Sequence, residues 1–124
     1  FLKILGFKDA YLDDENEEWI VEFLPSKDIT HSNGSIVQGG FVSGMLDASM
    51  SQYLIFLSEG KMAPLTLDLD VKFLKSCEPN KMVLSKSKVV KKGKSIAFTS
   101  GKLIQDDCVI AVATSTSKLV SIQY

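Results

Sequence analysis

Apolar residues follow a helical period in one long segment of the chain and alternate with polar residues in the segments around it. Within residues 30–57 they recur at spacings of three and four, which predicts a helix from about Gly39 to Glu59. Its apolar stripe consists of Val42, Leu46, Met50, Tyr53 and Leu57. A second stripe is small and polar and carries Asp47, the only charged residue of the segment. A helix that is apolar on most sides is expected to be buried, so this carboxylate needs a partner or a function.

Alternation with a period of two predicts the strands. Two of them, Phe7–Leu12 and Glu17–Leu24, are expected to form a hairpin before the helix. Four more strands follow it: residues 65–75, Met82–Val90, Ser95–Ile104 and Cys108–Lys118. In the first of these four, Leu65 and Leu67 are expected on the core face and Thr66 on the opposite, polar face. The short connections predict an antiparallel meander.

Glycines mark the expected ends of two helices and the start of the longer one. Phe1–Phe7 is expected to form a short helix ending at Gly6, and Gly60 is expected to cap the long helix. The pair Gly39-Gly40 leaves free N–H groups at the helix start open to a ligand.

The order of hairpin, long helix and four strands predicts an α+β fold in which a curved antiparallel sheet wraps one helix. With 124 residues the chain is long enough for one domain, residues 1–124. A sheet of this kind has edges, so edge pairing between two copies is expected.

Charge and cysteine content exclude several classes of function. The net charge of −1 gives no general attraction to nucleic acid, so no nucleic-acid partner is expected. Polar residues interrupt the apolar run of the predicted helix, so no membrane partner is expected either. The opening FLKILGF is too short for a signal peptide. Cys77 and Cys108 lack metal-ligand spacing, and His31 is the single histidine, so no metal site is expected. The simplest interpretation is two reduced thiols in a cytoplasmic protein.

Three segments together carry a family pattern. Residues 32–51, SNGSIVQGGFVSGMLDASMS, place Gly-Gly at a helix start and an acid seven residues after the second Gly. Residues 65–77, LTLDLDVKFLKSC, form a strand with a Thr near its start. Residues 89–119, VVKKGKSIAFTSGKLIQDDCVIAVATSTSKL, contain a basic-Gly-basic turn between strands. With the hairpin, these segments resemble the hotdog-fold thioesterases of the 4-hydroxybenzoyl-CoA and phenylacetate-pathway type over nearly the whole chain.

Two positions depart from that family's pattern. Gln38 stands where the family usually has a His before Gly-Gly. Asn33 lies one place closer to Gly-Gly than the family's usual Asn, and Ser32 occupies the matching position.

The resemblance implies an acyl-CoA thioesterase that hydrolyses an acyl- or aryl-CoA to the free acid and CoA, with no metal or cofactor. It implies Asp47 as general base or nucleophile and the Gly39 N–H as the donor to the thioester oxygen. Helical rise separates these two residues by roughly 12 Å. The resemblance therefore implies a homodimer or homotetramer with active sites at the subunit interface. Thr66 would orient the carboxylate or the water, and Gln38 or Asn33 would orient the acyl group.

Substrate binding is assigned to the helix start and to the basic turn. The helix-start residues are Gly40, Phe41 and Ser43. The basic turn contributes Lys91, Lys92 and Lys94, whose ammonium groups suit the phosphates of CoA. Lys86 and Lys88 either extend this patch or form the wet face of a strand.

Each of these residues also has a purely structural explanation. Asp47 is structural if it pairs with a neighbouring Ser or with backbone. Thr66 is by type a good strand residue, and Gln38 is equally suited to hydrogen bonding within its loop. Gly39-Gly40 can be a tight junction, the lysines a solvated turn, and His31 is expected to be a loop residue rather than a catalyst.

Two other functions compete with hydrolysis. A non-catalytic hotdog protein that binds acyl-CoA is favoured by Gln38 in place of His and opposed by the presence of Asp47 and Thr66. A hotdog hydratase or dehydratase ranks last, because such enzymes set a His against an Asp and His31 lies outside the helix start.

Overall fold

The computed structural model describes residues 1–31 and 33–122, in which one long helix packs against one antiparallel sheet. The helix α1 spans Gly39–Leu57. The strands are β1 (Phe7–Asp13), β2 (Glu18–Phe23), β3 (Met62–Phe73), β4 (Val83–Lys92), β5 (Ile96–Gln105) and β6 (Cys108–Ser121). A short 3₁₀ turn occupies Lys27–Ile29. The predicted hairpin, helix and four later strands, and with them the α+β fold, are confirmed.

The strands of the sheet are arranged in the order β1-β2-β4-β5-β6-β3, and every neighbouring pair is antiparallel. The predicted meander is therefore wrong for β3, which pairs with β6 at one edge, while β4 pairs with the hairpin strand β2. The cause is the helix between β2 and β3. Because α1 crosses the face of the sheet, the chain emerges at the opposite edge and β3 is added there.

The core lies between α1 and the sheet. The helix residues Val42, Leu46, Met50 and Tyr53 are buried as their stripe predicts, whereas Leu57 is 41% exposed. Gly101 on β5 lets the helix come close, since a Cβ there would lie 3.4 Å from side-chain atoms of Leu46 and Met50. The sheet therefore covers the helix along most of its length.

The helix ends earlier than its sequence suggests. Leu57 is its last residue and Ser58 its C-cap, and the chain then turns through left-handed Glu59 (φ 57°) and Gly60 (φ 79°). The Gly60 N–H donates to the Ile55 carbonyl at 3.0 Å, which satisfies a carbonyl left open at the helix end. Gly60 thus lies two residues beyond the C-cap rather than at the cap position predicted for it.

The N-terminal segment is a run of turns, so the short helix predicted for Phe1–Phe7 is wrong. Gly6 has a φ of 81°, and its carbonyl accepts the Leu24 N–H at 2.8 Å. That bond ties the segment to the hairpin and directs the chain into β1. None of the described helices is long and apolar enough to cross a membrane.

Candidate active site

A β-bulge on the edge strand β3 determines where Thr66 points. Thr66 pairs with Ser117 of β6, but the next pair is Asp68 with Thr116, so Leu67 is an extra residue. A bulge reverses the alternation of faces beyond it. Thr66 therefore shares the helix-facing side with Leu69, whose β6 partner Ser115 is buried like Ser117.

The bulge corrects the face assignment predicted from strict alternation. Leu65 and Leu67, expected in the core, are 53% and 60% exposed. Thr66, expected on the face away from the core, is instead directed at the helix. The sequence LTLDLDV alternates without a break and gives no sign of the extra residue.

Asp47 and Thr66 form the one direct contact between predicted catalytic side chains in the described part of the chain. The Thr66 Oγ1 hydroxyl donates to Asp47 Oδ1 at 2.9 Å. Asp47 is half-buried on α1, and the Thr66 residue is solvent-exposed. The carboxylate is thus oriented by one hydroxyl while remaining accessible from the edge of the sheet. The Ser and backbone partners proposed as its structural alternative do not bond its side chain in the described residues.

The helix start is open, as its two glycines suggest. Within residues 1–31 and 33–122, neither the Gly39 nor the Gly40 N–H donates to any acceptor. A Cβ on Gly39 would lie 3.3 Å from the Phe73 ring, whereas one on Gly40 would meet nothing within 4 Å. Two backbone donors at the positive end of the helix dipole are therefore available to an oxygen atom that carries negative charge.

The loop before the helix uses its polar side chains locally. Gln38 is the N-cap residue, but its Nε2 donates to the Thr30 carbonyl at 3.1 Å instead of capping the helix. The Asn33 Oδ1 accepts from the Ser35 N–H at 3.1 Å and from its hydroxyl at 2.8 Å. Ser32, the position matching the family's Asn, lies outside the described residues. Both described side chains thus hydrogen-bond within the loop, which for Gln38 is the structural alternative to catalysis.

A surface cleft of about 400 Å³ lies in front of the helix start. His31 lines it together with Gly39, Phe73 and Lys75. The Lys75 ammonium contacts the Cys108 thiol, with Nζ 3.0 Å from Sγ, and this contact raises the pKa of Lys75. Phe73 was not identified from the sequence as a site residue. The only signal was Gly39 itself, since a glycine at a helix start often accommodates a close neighbour.

The remaining predicted substrate contacts fall into two distant groups. Phe41 and Ser43 are half-buried near the helix start, beside the exposed Gly40. The basic turn lies at the other end of α1, because Lys92 pairs with Ala97, which packs against Leu54. A helix of 19 residues is roughly 28 Å long.

The lysines of the basic turn, Lys91, Lys92 and Lys94, are all exposed. Their distance from the helix start means that one chain does not bring them to its own Gly39. Likewise Asp47 lies roughly 12 Å along the axis from Gly39 in the continuous helix. Within one chain the predicted residues therefore form separate groups rather than one site.

The architecture matches several solved structures, one of which is a thioesterase. A variant of the phenylacetic acid degradation protein PaaI from Thermus thermophilus has a TM-score of 0.81 and 16% identity, over 95% of this chain and 96% of that one. Zebrafish thioesterase superfamily member 2 has a TM-score of 0.76 and 17% identity, over 92% and 80%. A Streptococcus mutans UA159 protein bound to acetyl-CoA has a TM-score of 0.78 and 15% identity, over 96% and 90%. One helix wrapped by a six-stranded antiparallel sheet is thus the hotdog fold.

The family follows from the sequence itself. Residues 28–117 match the family described as the acyl-CoA thioesterase N-terminal domain. No curated protein is similar enough in sequence to match the chain. The matched segment contains both Asp47 and Thr66 as well as the open helix start. The chain therefore belongs to the acyl-CoA thioesterase family and is a thioester hydrolase, as its motifs predict.

Proposed function

We propose that this protein hydrolyses an acyl- or aryl-CoA thioester to the free acid and CoA, with Asp47 as the catalytic carboxylate. The observation that carries the proposal is the 2.9 Å hydrogen bond from Thr66 to Asp47, made through the bulge that turns Thr66 toward the helix. Bulges are frequent both at sheet edges and beside active sites, and this one directs the Thr66 hydroxyl at Asp47. We also propose that residues 1–124 form one domain.

Asp47 acts in one of two ways that the proposal leaves to experiment. As a general base, it takes a proton from water while the water oxygen bonds to the thioester carbon. As a nucleophile, its own oxygen bonds to that carbon, and water then cleaves the mixed anhydride. In both routes the carbon–sulfur bond breaks and CoA leaves as the thiolate. A proton from the hydrolytic water completes the thiol, and the free acid releases the second proton, so that Asp47 ends as a carboxylate.

The carbonyl oxygen is stabilised by the helix start of a second subunit. The Gly39 and Gly40 N–H groups are free in the described chain, and a preorganised donor of this kind lowers a barrier by about 3–4 kcal/mol. Because Asp47 lies too far along its own helix, the donors and the carboxylate of one site come from two chains. The Streptococcus mutans protein that resembles this chain binds acetyl-CoA, which supports a CoA ester as substrate.

The second subunit is added at β3, so that the protein is a homodimer or homotetramer. β3 is an edge strand of 12 residues that pairs with β6 on one side only. Exposed apolar side chains accompany that edge, namely Leu65, Leu67 and Phe73 at 53%, 60% and 57% exposure. An exposed apolar edge of this length tends to pair with a strand of another chain. Lys91, Lys92 and Lys94 then bind CoA phosphates at the assembled site. The free thiols of Cys77 and Cys108 support the cytoplasmic location that we propose.

The test is CoA release from short, medium, long and aryl CoA thioesters, followed with a thiol reagent. Wild type is expected to hydrolyse at least one of them, and Asp47→Ala is expected to lose a factor of ~100 or more in kcat/KM. Asp14→Ala, in the exposed β1–β2 turn, is the matched control and keeps wild-type activity. Unchanged activity in Asp47→Ala would remove Asp47 as the catalytic group and leave His31 as the next candidate.

One observation favours a second function, a non-catalytic acyl-CoA-binding protein. Gln38 replaces the usual His, and its amide is held by the Thr30 carbonyl rather than directed toward a substrate. That protein would show a higher melting temperature with CoA esters but no turnover of any of them. A rise in melting temperature with no CoA release from the whole panel would decide for this function.

A further inference from the structure

A groove of about 490 Å³ crosses the face of the sheet that points away from α1. Gly101 faces the helix, so its neighbour Lys102 faces the other way. The same outer face carries Lys72 of β3 and Lys86 and Lys88 of β4. The volume lies within the range of about 300–1,000 Å³ that is typical of small-molecule sites. This outer groove is separated from Asp47 by the thickness of the sheet.

Cross-strand register places two lysines directly opposite each other in the groove. Lys86 of β4 pairs with Lys102 of β5, Lys102 pairs with Val112 of β6, and Val112 pairs with Lys72 of β3. Directly opposed side chains have Cβ atoms about 4.5–5.5 Å apart, and like charges at this distance destabilise a sheet. The pair therefore opposes folding unless an anion lies between the two ammonium groups.

None of the described acids that line the groove forms an ion pair with these two lysines. Outside the groove, hydrogen bonds from Asn16 and, to a smaller extent, the charge of Lys86 lower the pKa of Asp13 on β1. Asp70 is engaged by Lys72, whose Nζ lies 3.1 Å from its carboxylate. Glu18 precedes the Trp19–Ser87 pair, which places it beside Lys88 rather than beside the central pair. Within residues 1–31 and 33–122, neither Lys86 nor Lys102 forms an ion pair or a side-chain hydrogen bond. The four lysines and two acids of the lining leave an excess of positive charge.

The lining of the groove has both hydrogen-bonding groups and apolar surface. One register step from the lysine pair, Ser100 lies opposite Thr114, and both line the groove with their hydroxyls. Val112 and the methylene stems of the lysines provide apolar surface, since long cationic side chains bury their stems and keep their charge in water. An occupant that fits this lining has a charged head group and an apolar body.

We propose that the outer groove binds an amphipathic organic anion of the fatty-carboxylate class. Its carboxylate lies between the ammonium groups of Lys86 and Lys102, and its chain lies along Val112 and the lysine stems. The occupant is not a second copy of this chain, because a two-fold contact would set one lysine-rich face against another. The proposal does not rest on the thioesterase activity, since no residue of the groove belongs to the Asp47 site.

The test uses octanoate as the probe and ¹⁵N-labelled protein observed by NMR. Saturable shifts are expected at the amides of Gly101, Lys102 and Val112. Octanol, which has the chain without the charge, and inorganic phosphate, which has charge without the chain, are each expected to bind at least about tenfold more weakly. Shifts confined to Gly39 and Gly40, or equal binding of octanol, would overturn the proposal.

Variants of the lysine pair distinguish a ligand site from lysines that only support the fold and from an interface between copies. Lys86→Gln/Lys102→Gln is expected to weaken octanoate binding by about tenfold or more, while Lys3→Gln/Lys8→Gln, with the same change in net charge, leaves it unchanged. Without ligand, the first variant is expected to melt no lower than wild type, because it removes a repulsion. Lys86→Arg/Lys102→Arg is expected to keep binding.

Three results would contradict the proposal. The first is unchanged octanoate affinity in Lys86→Gln/Lys102→Gln. The second is a lower melting temperature of that ligand-free variant together with lost binding in the arginine variant, which would show that the lysines only support the fold. The third is a change of oligomeric mass in sedimentation when the pair is replaced, which would make the outer groove an interface between copies.

Discussion

Replacement of Thr66 by valine tests whether its hydroxyl orients Asp47. Thr66→Val keeps the β-branched shape, and therefore the strand and its bulge, but removes the donor of the 2.9 Å hydrogen bond to Asp47 Oδ1. The Asp47 carboxylate is then free to rotate away from the position in which it reaches water or the thioester. We expect kcat/KM to fall while the melting temperature stays close to that of wild type.

The expected size follows from the environment of the contact. A hydrogen bond to a charged group is worth about 1.5–3 kcal/mol, and the exposure of Thr66 places this one at the lower end. A loss of about 1.4 kcal/mol is a factor of ten, so kcat/KM should fall roughly tenfold. Thr66→Ser, which keeps the hydroxyl, should stay within roughly twofold of wild type.

The assay is a double-mutant cycle on CoA release. If the hydroxyl acts through the carboxylate, Thr66→Val should have almost no further effect in an Asp47→Asn background. A full tenfold loss in that background would refute the reasoning, because Thr66 would then act independently of Asp47. Wild-type activity in Thr66→Val alone would refute it as well.

Three further predictions concern stability and assembly. Burial raises the pKa of the Cys77 thiol from 9.0 to about 11. The thiol therefore ionises first in the unfolded chain, and the free energy of unfolding should fall by about 2–3 kcal/mol between pH 9 and 11. In denaturant unfolding, Cys77→Val should lack this dependence on pH, and Cys108→Val should keep it. Gly101→Val adds methyl groups beside Leu46 and should lower the free energy of unfolding by about 1–3 kcal/mol in urea, and an unchanged midpoint would contradict the close helix approach. Leu67→Asp should convert the proposed dimer to a monomer in sedimentation and abolish CoA release, whereas an unchanged mass would exclude β3 as the subunit interface.

The long helix and the strands could be predicted because their hydrophobic periods are regular. The small stripe of α1 pointed to Asp47, and the two glycines pointed to an open helix start. These features depend on residues close together in sequence, which is where periodicity and residue type are informative.

The features that were missed depend on partners far apart in the chain. The bulge at Leu67 arises from how β3 registers with β6, and the sequence of β3 alone alternates without interruption. The edge position of β3 depends on where α1 crosses the sheet.

The helix end was misplaced for a local reason. Glu59 takes the left-handed position expected of a glycine, so the sequence places the end of the helix too late, at Gly60. The residue type of Gln38 fits two roles, and its hydrogen bond to the Thr30 carbonyl depends on the folded loop.

The sequence predicts which residues belong to the site but not how they are arranged in space. The catalytic roles of Asp47 and Thr66 came from a family resemblance, and the structure places the two side chains in contact. The distance between Asp47 and Gly39 follows from helical rise alone and requires a second chain if both serve one carbonyl. This requirement is the central claim of the proposed function.

Complementation between two inactive variants tests that claim directly. Gly39→Pro removes the Gly39 N–H at the first helical position, where proline is favoured, and Gln38 before it already has the extended backbone that proline requires (φ −64°, ψ 143°). Asp47→Asn removes the carboxylate. Each variant alone is expected to lose a factor of about 100 or more in CoA release.

Co-expression of the two variants produces mixed dimers in which one site combines an intact Asp47 with an intact Gly39 from the other chain. Random pairing should then restore about a quarter of wild-type activity, because half of the dimers are mixed and each has one intact site of two. Recovery of that activity would establish a site shared between subunits. Mixed dimers with no more activity than either variant alone would contradict the account.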